Sequence, residues 1–324
     1  MNTVALAFGK DKTAIIKGIA ILMMIILHCG GSGATYDVPI RTMDSYPILG
    51  FIHPSFKLCV GIFTFMVGYG YAFAKVKDWR YSLKHIWSLL KVFWLILIVI
   101  TIPSILLVFG GKSLIENGLE DFIQNLFGVS ESLNWYSWFV SFYIFCMIVL
   151  PLISRWLDKN SILSTIGFSI GFYLLEVCVH SLPTWESNKW LYSLFNDCML
   201  MPTVLLGYYF AKQQVFQKIS IPHHWLMALI GFVLIIVAFI GRAVCGTIAG
   251  FNMYVIHATV TILGILIIFN SCNLPILSRL LTSLGNASVY MWFFHALFSQ
   301  QMYVMFISHS FWCLTIFLSS HYGQ

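Results

Sequence analysis

Two ionisable residues interrupt the apolar run IIKGIAILMMIILHCGG, namely Lys17 and His28, eleven positions apart. In a helix, eleven steps of 100° return to within about 20° of the starting face, so the two side chains share one stripe with Ile21 and Met24 between them. Their axial separation is about 16 Å. A cation and an imidazole so spaced suit an extended molecule with an anionic head and a reactive tail. On this helix alone a second reading stands beside the first. A lysine at a helix start snorkels to lipid phosphate, and a histidine near the far end hydrogen-bonds to a neighbouring helix.

Other candidates lie near by in sequence. In KVKDWRYSLKHIWSLLK, Arg80, Lys84 and Lys91 fall at i, i+4 and i+11, again on one helical face, with His85 beside them. Such a row can hold phosphates, or it can be the basic flank of a membrane helix bound to anionic lipid. Lys57 follows His53-Pro54, a suitable helix start, at a depth comparable to His28. It can stabilise negative charge developing in a reaction or snorkel outward. His295 and Glu176 also fall within apolar runs, and for each a structural hydrogen bond is the expectation. The eight cysteines are scattered through apolar stretches without a CxxC pair, which argues for neither a disulfide framework nor a metal site.

The elements that must position these groups follow from solvent. Charged residues make up 9% of the 324, against about 25% in soluble domains. The apolar residues come in blocks of about 18–25, the length that crosses about 30 Å of hydrocarbon. Spans are expected near residues 13–29, 48–74, 87–109, 134–154, 161–180, 195–212, 223–243, 250–270 and 284–306, with a short tenth at 311–320. Backbone groups in lipid must be satisfied internally, so each span is helical. The expected fold is all-α, a polytopic transmembrane bundle of about ten helices. It forms one membrane domain over 1–324, with no appended soluble domain. The first run carries no small-x-small cleavage pattern after Leu27 and reads as an uncleaved helix. Trp135 and Trp138, opening the fourth span, read as interfacial anchors.

Basic residues sort by loop. With the N-terminus in the cytosol, thirteen of the eighteen, from Lys10 and Lys12 to Arg279, fall on the inner side. Arg41, Lys112, Lys189 and Arg242 fall outside, and Lys57 lies within a span. This is the positive-inside pattern. The net charge of +6 therefore reflects topology, and no aromatic-interleaved basic domain supports a nucleic-acid partner. The outer loop 110–133 is acidic, with Glu116, Glu120, Asp121 and Glu131.

Several segments, in order, resemble the acyltransferase 3 family of integral-membrane acyltransferases. KGIAILMMIILH at 17–28 is similar to the family's first helix, which has arginine, ten residues, then histidine. FKLCVGIFTFMVGYGYAFAK at 56–75 resembles its second helix, and the Arg80 segment its basic approach to the third. WYSWFVSFYIFCMIVLPLI at 135–153 and ASVYMWFFHALF at 287–298 resemble its Trp-Phe and Tyr-x-x-x-His helices. Lys17 stands in place of the family's arginine, and Val67-Gly68 in place of its Ser-Gly.

The resemblance implies O-acyl transfer, most simply of acetyl from cytosolic acetyl-CoA, onto a hydroxyl of a cell-surface polysaccharide or its lipid-linked precursor. It implies a place in the bacterial cytoplasmic membrane. It makes His28 the catalytic histidine and puts Lys17 near the coenzyme A. In the mechanism so implied, Lys17, Arg80 and Lys84 hold the donor's phosphates, and His28 acts as general base or carries the acyl group. Lys57 or nearby backbone amides receive the oxyanion. Three other readings remain at this point: a transporter or flippase of a glycan or small solute, a membrane acyltransferase of another class, and a catalytically degenerate partner in glycan synthesis. No inverted repeat or matched pair of broken spans supports the first.

Overall fold

The structure is a computed structural model that describes residues 3–30, 43, 46–107, 118–134, 136–159, 161–222, 225–248 and 251–297. The twelve α-helices among them are α1 (Lys10–Gly30), α2 (Pro47–Ile52), α3 (Leu58–Ala72), α4 (Trp79–Leu107), α5 (Gly118–Leu126), α6 (Trp138–Lys159), α7 (Ser161–His180), α8 (Lys189–Lys212), α9 (Trp225–Val244), α10 (Tyr254–Ser271), α11 (Pro275–Asn286) and α12 (Ser288–Leu297). Two short antiparallel ribbons join them. Strand β1 (Thr3–Ala5) pairs with β2 (Ser220–Pro222), and β3 (Thr247–Ile248) with β4 (Phe251–Asn252). Among the described residues the bundle is thus helical, with short strands in the N-terminal segment and in two connections.

Six stretches among the described residues are long and apolar enough to cross a membrane: Pro47–Ala72, Trp79–Val99, Trp138–Lys159, Ile162–His180, Trp225–Val244 and Tyr254–Ser271. Helices α1 and α8 have the length, at 21 and 24 residues, but carry more polar side chains. The expected spans differ from these helices at several boundaries, among them the fourth, at Trp138–Lys159, and the sixth, which starts at Lys189. The third starts at Trp79, not at 87, which takes Arg80 and Lys84 into the helix. The second is interrupted by a 3-10 turn at His53–Lys57, where Pro54 has no N–H to continue the α-helical ladder. The ninth, expected from 284, begins as α12 at Ser288, and a separate helix α11, Pro275–Asn286, precedes it. The proposed tenth at 311–320 lies outside the described residues, as do positions 298–306 of the ninth.

Helix α3 occupies the centre, with 13 of its 15 residues buried. It packs on α8, α1 and α10. The approach to α8 is set by two glycines in reciprocal contact. A β-carbon on Gly68 would lie 1.8 Å from the Val204 carbonyl oxygen, and one on Gly207 would lie 2.1 Å from that of Phe65. Gly68, read from sequence as part of a motif, is therefore a helix-packing residue. On α1, Ala14 and Gly18 face Gly285 and Leu281 of α11 in reverse order, so these two helices cross in an antiparallel sense.

Helices α7 and α9 lie at the periphery. They expose Leu163, Ile170, Leu174, Phe232, Val233 and Val237, a surface that lipid covers at no cost and water does not. The chain is a multi-pass membrane protein.

The two ends of the bundle are chemically distinct. At one end Asp158 is held by Lys77 at 2.9 Å and Lys212 at 3.0 Å, and the Tyr208 hydroxyl donates to it at 2.7 Å. The same end carries β1 and β2, the Ala7 amide donating to Asn270 Oδ1, and the Lys12 ammonium donating to the Phe269 carbonyl. This basic face gathers the ends of α3, α6, α8 and α10 and the starts of α1 and α4. The opposite end is rich in histidine.

Candidate functional site

At the histidine face, three rings meet. His28, near the end of α1, lies 4.4 Å from Tyr136 and 5.1 Å from His295, and Tyr136 lies 4.0 Å from His295 by ring centroids. His295 is buried, and its Nδ1 lies 2.5 Å from the Trp292 carbonyl oxygen. A carbonyl only accepts, so Nδ1 carries the proton and Nε2 keeps the lone pair. That Nε2 is buried without a hydrogen-bond partner. The His28 ring is half-buried, and no carboxylate among the described residues hydrogen-bonds to either histidine. The arrangement places a free imidazole acceptor beside a second imidazole, within a partly dry aromatic wall. Such a pair can take up and return a proton.

Each member is positioned by ordinary local chemistry. Trp292, one turn before His295 on α12, donates from its indole Nε1 to the Tyr136 carbonyl at 3.0 Å. The Tyr136 amide donates to Asn134 Oδ1 at 3.0 Å, and Ser137 Oγ to the Ser130 carbonyl at 3.1 Å. Residues 127–134, which precede Tyr136, are fixed by Asp121 on α5. Ser130 and Ser132 each donate to its carboxylate at 2.6 Å, and Lys189 at the start of α8 donates to it as well. Burial raises the Asp121 pKa, but the lysine and the two hydroxyls outweigh it and hold the carboxyl well below the usual range. Glu131 in the same loop has no such support, and burial pushes its carboxyl up to about 7.

Lys57 and His53 are presented by the 3-10 turn. This turn bridges α1 and α9. His53 Nε2 donates to the Leu27 carbonyl at 2.9 Å, one of the otherwise unsatisfied acceptors in the last turn of α1. Ser55 Oγ donates to the Phe239 carbonyl of α9 at 2.7 Å, and Phe56 packs edge-on against the Phe239 ring at 5.3 Å. Lys57 and His53 therefore come within electrostatic reach of His28, as His295 does. Lys57 also comes near Arg242 at the end of α9.

The other residues singled out from sequence lie at the opposite end. Lys17 is half-buried on α1, and Arg80 and Lys84 are exposed on the first turns of α4. None of the three has an ion-pair partner among the described residues, so all are available to an anion. No hydrogen bond, ion pair or charge contact links Lys17 to Arg80 or Lys84. The stripe between Lys17 and His28 is packed core, since Ile21 and Met24 are 0% and 1% exposed. His85 is held by the Tyr81 carbonyl, 2.8 Å from its Nδ1.

His295 does make the structural hydrogen bond expected of it, and it also joins the His28 cluster. Tyr136, Arg242 and His257 were not singled out as site residues. The signal for Tyr136 was its place between an interfacial Trp135 and Trp138 in a resembling segment. Arg242 stood out only as an outer basic residue.

The family model described as an acyltransferase domain, Acyl_transf_3, matches residues 14–320, nearly the whole chain. No curated relative and no solved structure matches it. The match covers the described helices of the bundle, including the one that carries His28 and the one that carries His295. The chain belongs to the acyltransferase 3 family and is a membrane acyltransferase.

Proposed function

We propose that this acyltransferase moves an acetyl group from acetyl-CoA, bound from the cytosolic side, to a hydroxyl of a cell-surface polysaccharide or its lipid-linked precursor. The observation that carries the reading is the His28 imidazole at the end of α1, beside His295 and Tyr136, in a chain of this family. His28 accepts the proton of the acceptor hydroxyl as its oxygen attacks the thioester carbonyl. The tetrahedral oxyanion gains from the nearby Lys57 ammonium. When the carbon–sulfur bond breaks, His28 returns the proton to the departing thiolate. His295 and Tyr136 hold the His28 ring against rotation.

Lys17, Arg80 and Lys84, which have no ion-pair partner among the described residues, are the cations offered to the donor's phosphates. Lysine at 17 supplies a point charge, without the fork that arginine brings to phosphate. The positive-inside pattern supports a cytosolic location for the basic face, with the N-terminus there too. The closed stripe at Ile21 and Met24 means that the donor's arm reaches His28 only when helices next to α1 part. The acidic loop before Tyr136 lies on the side from which a glycan hydroxyl arrives.

The test is acyl transfer in purified membranes given acetyl-CoA labelled in the acetyl group. Wild type is expected to label glycan hydroxyls, and His28→Ala to lose about 100-fold or more of that rate at equal protein level. Equal labelling by the two would remove His28 from the chemistry. Movement of glycan across the membrane without label would overturn the acyl-transfer reading.

A further inference from the structure

Beside the histidine pair, the end of α9 and the start of α10 bring two further basic residues, Arg242 and His257, to which the transfer chemistry assigns no role, up to Lys57. The Arg242 guanidinium lies over the Tyr254 ring at 5.0 Å, with Nη2 3.5 Å from the Tyr254 hydroxyl. Its Nε is buried with no hydrogen-bond partner. Lys57 stands within charge–charge range of it. His257, 8% exposed, packs its Nε2 edge over Gly241, feels the Arg242 charge, and has an Nδ1 with no partner. No carboxylate among the described residues pairs with Lys57 or Arg242.

This is an unfavourable arrangement without an anion. Two like charges within range of each other and partly removed from water repel, and neither has among the described residues a counter-charge that offsets its desolvation. The cation–π contact accounts for one face of the guanidinium and the long Tyr254 bond for Nη2, which leaves the buried Nε without a partner. Snorkelling accounts for an exposed lysine, but not for a buried, unpartnered Arg242 Nε and a buried, unpartnered nitrogen on a histidine that feels the Arg242 charge. A carboxylate or phosphate would satisfy these donors together, since the guanidinium edge matches a two-oxygen anion.

We propose that Arg242, Lys57 and His257 form an anion subsite that selects an acidic acceptor, one that carries a carboxylate or phosphate near the hydroxyl to be acylated. This rests on the reading of His28 as the base on that hydroxyl. The 3-10 turn supplies the coupling, because it is bonded to α1 beside His28 and to α9 three residues before Arg242. An anion held at Arg242 therefore fixes the acceptor relative to His28.

The test uses purified full-length protein in phosphatidylcholine nanodiscs. Its probes are oligogalacturonate, the same oligomer after reduction of its carboxyl groups, and oligo(glycerol phosphate). Binding is measured without donor on wild type, His28→Ala, Arg242→Gln and Arg242→Lys. One or both anionic oligomers should bind wild type and His28→Ala about tenfold or more tightly than the reduced oligomer does. Whichever anion binds tells carboxylate from phosphate. Arg242→Gln should lose the preference and Arg242→Lys should keep part of it, which separates charge from folding. In the transfer assay, Arg242→Gln should raise KM for the acidic acceptor about tenfold and leave KM for the reduced one within about twofold.

Equal binding of charged and reduced oligomers overturns the proposal, even if wild type transfers acetyl normally. Retained anion preference in Arg242→Gln overturns it too. If Arg242-dependent binding is seen only for phosphatidylglycerol added to the nanodiscs, the site belongs to lipid and the proposal fails. Anion preference without any acyl transfer would instead keep the subsite and overturn the transfer reading.

Discussion

The contact between α3 and α8 makes a sharp prediction about Gly68. Its missing β-carbon is replaced by the Val204 carbonyl oxygen, and an alanine there would bring carbon to within 1.8 Å of that oxygen, 2.7 Å of the carbonyl carbon and 3.0 Å of the Tyr208 nitrogen. All three atoms are backbone, so no side chain can turn aside. Restoring ordinary contact requires the helices to part by about 1.5 Å along a fully buried seam. Overpacking of this kind costs about 1–3 kcal/mol where neighbours can adjust, and here the cost is at or above about 3 kcal/mol. Gly70, two residues on, has no atom within 4 Å of its would-be β-carbon. Gly70→Ala should therefore stabilise by up to about 1 kcal/mol through helix propensity. The assay is the temperature at which half of the detergent-solubilised protein leaves the monodisperse peak. Gly68→Ala should lower it by about 6 °C or more, while Gly70→Ala leaves it unchanged or raises it. Equal tolerance of both substitutions, or equal damage from both, would refute the packing argument.

Four further predictions can be checked with simple assays. Lys17→Ala should raise KM for acetyl-CoA about tenfold with kcat little changed, and Lys17→Arg should restore or improve on the native KM. Asp121, with its pKa depressed, contributes stability above its unfolded pKa near 4 that is lost only as the pH falls through the lower folded value. Lys189→Met should shift that loss upward, seen as proteolytic cutting of residues 127–134 at a higher pH than in wild type. Glu131, raised to about 7 by burial, binds its proton more tightly folded than unfolded. Stability should therefore fall as pH rises from about 4.5 to 7, and Glu131→Gln should flatten that slope in thermal scans. Trp292→Phe removes the donor to the Tyr136 carbonyl, and the unpaired acceptor should cost about 1–2 kcal/mol in thermal scans, with a lower kcat at unchanged donor KM.

The bundle was legible in sequence because a lipid solvent leaves few alternatives. Long apolar runs with few charges must be helices, and basic loops mark one face. Misplaced boundaries had specific causes. Hydropathy weighs residues singly, so it discounted Arg80 and Lys84 and began the third helix after them. Yet the helix extends through these residues, since arginine and lysine are good helix formers whose charged heads reach water. It also left most of α11 outside any span and began the ninth at 284, across the break at Ala287. The cause is tertiary, since α11 is directed by its crossing with Ala14 and Gly18 on α1.

The site was legible only along single helices. The shared face of Lys17 and His28, eleven residues apart, follows from helical geometry alone. What the periodicity of α1 could not reveal is which neighbours its stripe meets. Ile21 and Met24 face the core and not a channel, and His28 meets Tyr136 and His295, which lie more than a hundred and more than two hundred and fifty residues away. The residues that join these distant segments carry no motif. His53, Ser55 and Phe56 read as an unremarkable approach to a proline-started helix. In the folded chain each makes a specific contact, to the Leu27 carbonyl, the Phe239 carbonyl and the Phe239 ring. A proline that stops the α-helical ladder frees these side chains to bond sideways. The break at Pro54, within a stretch expected to be one continuous span, is what brings Lys57 within charge range of His28 on one side and of Arg242 on the other.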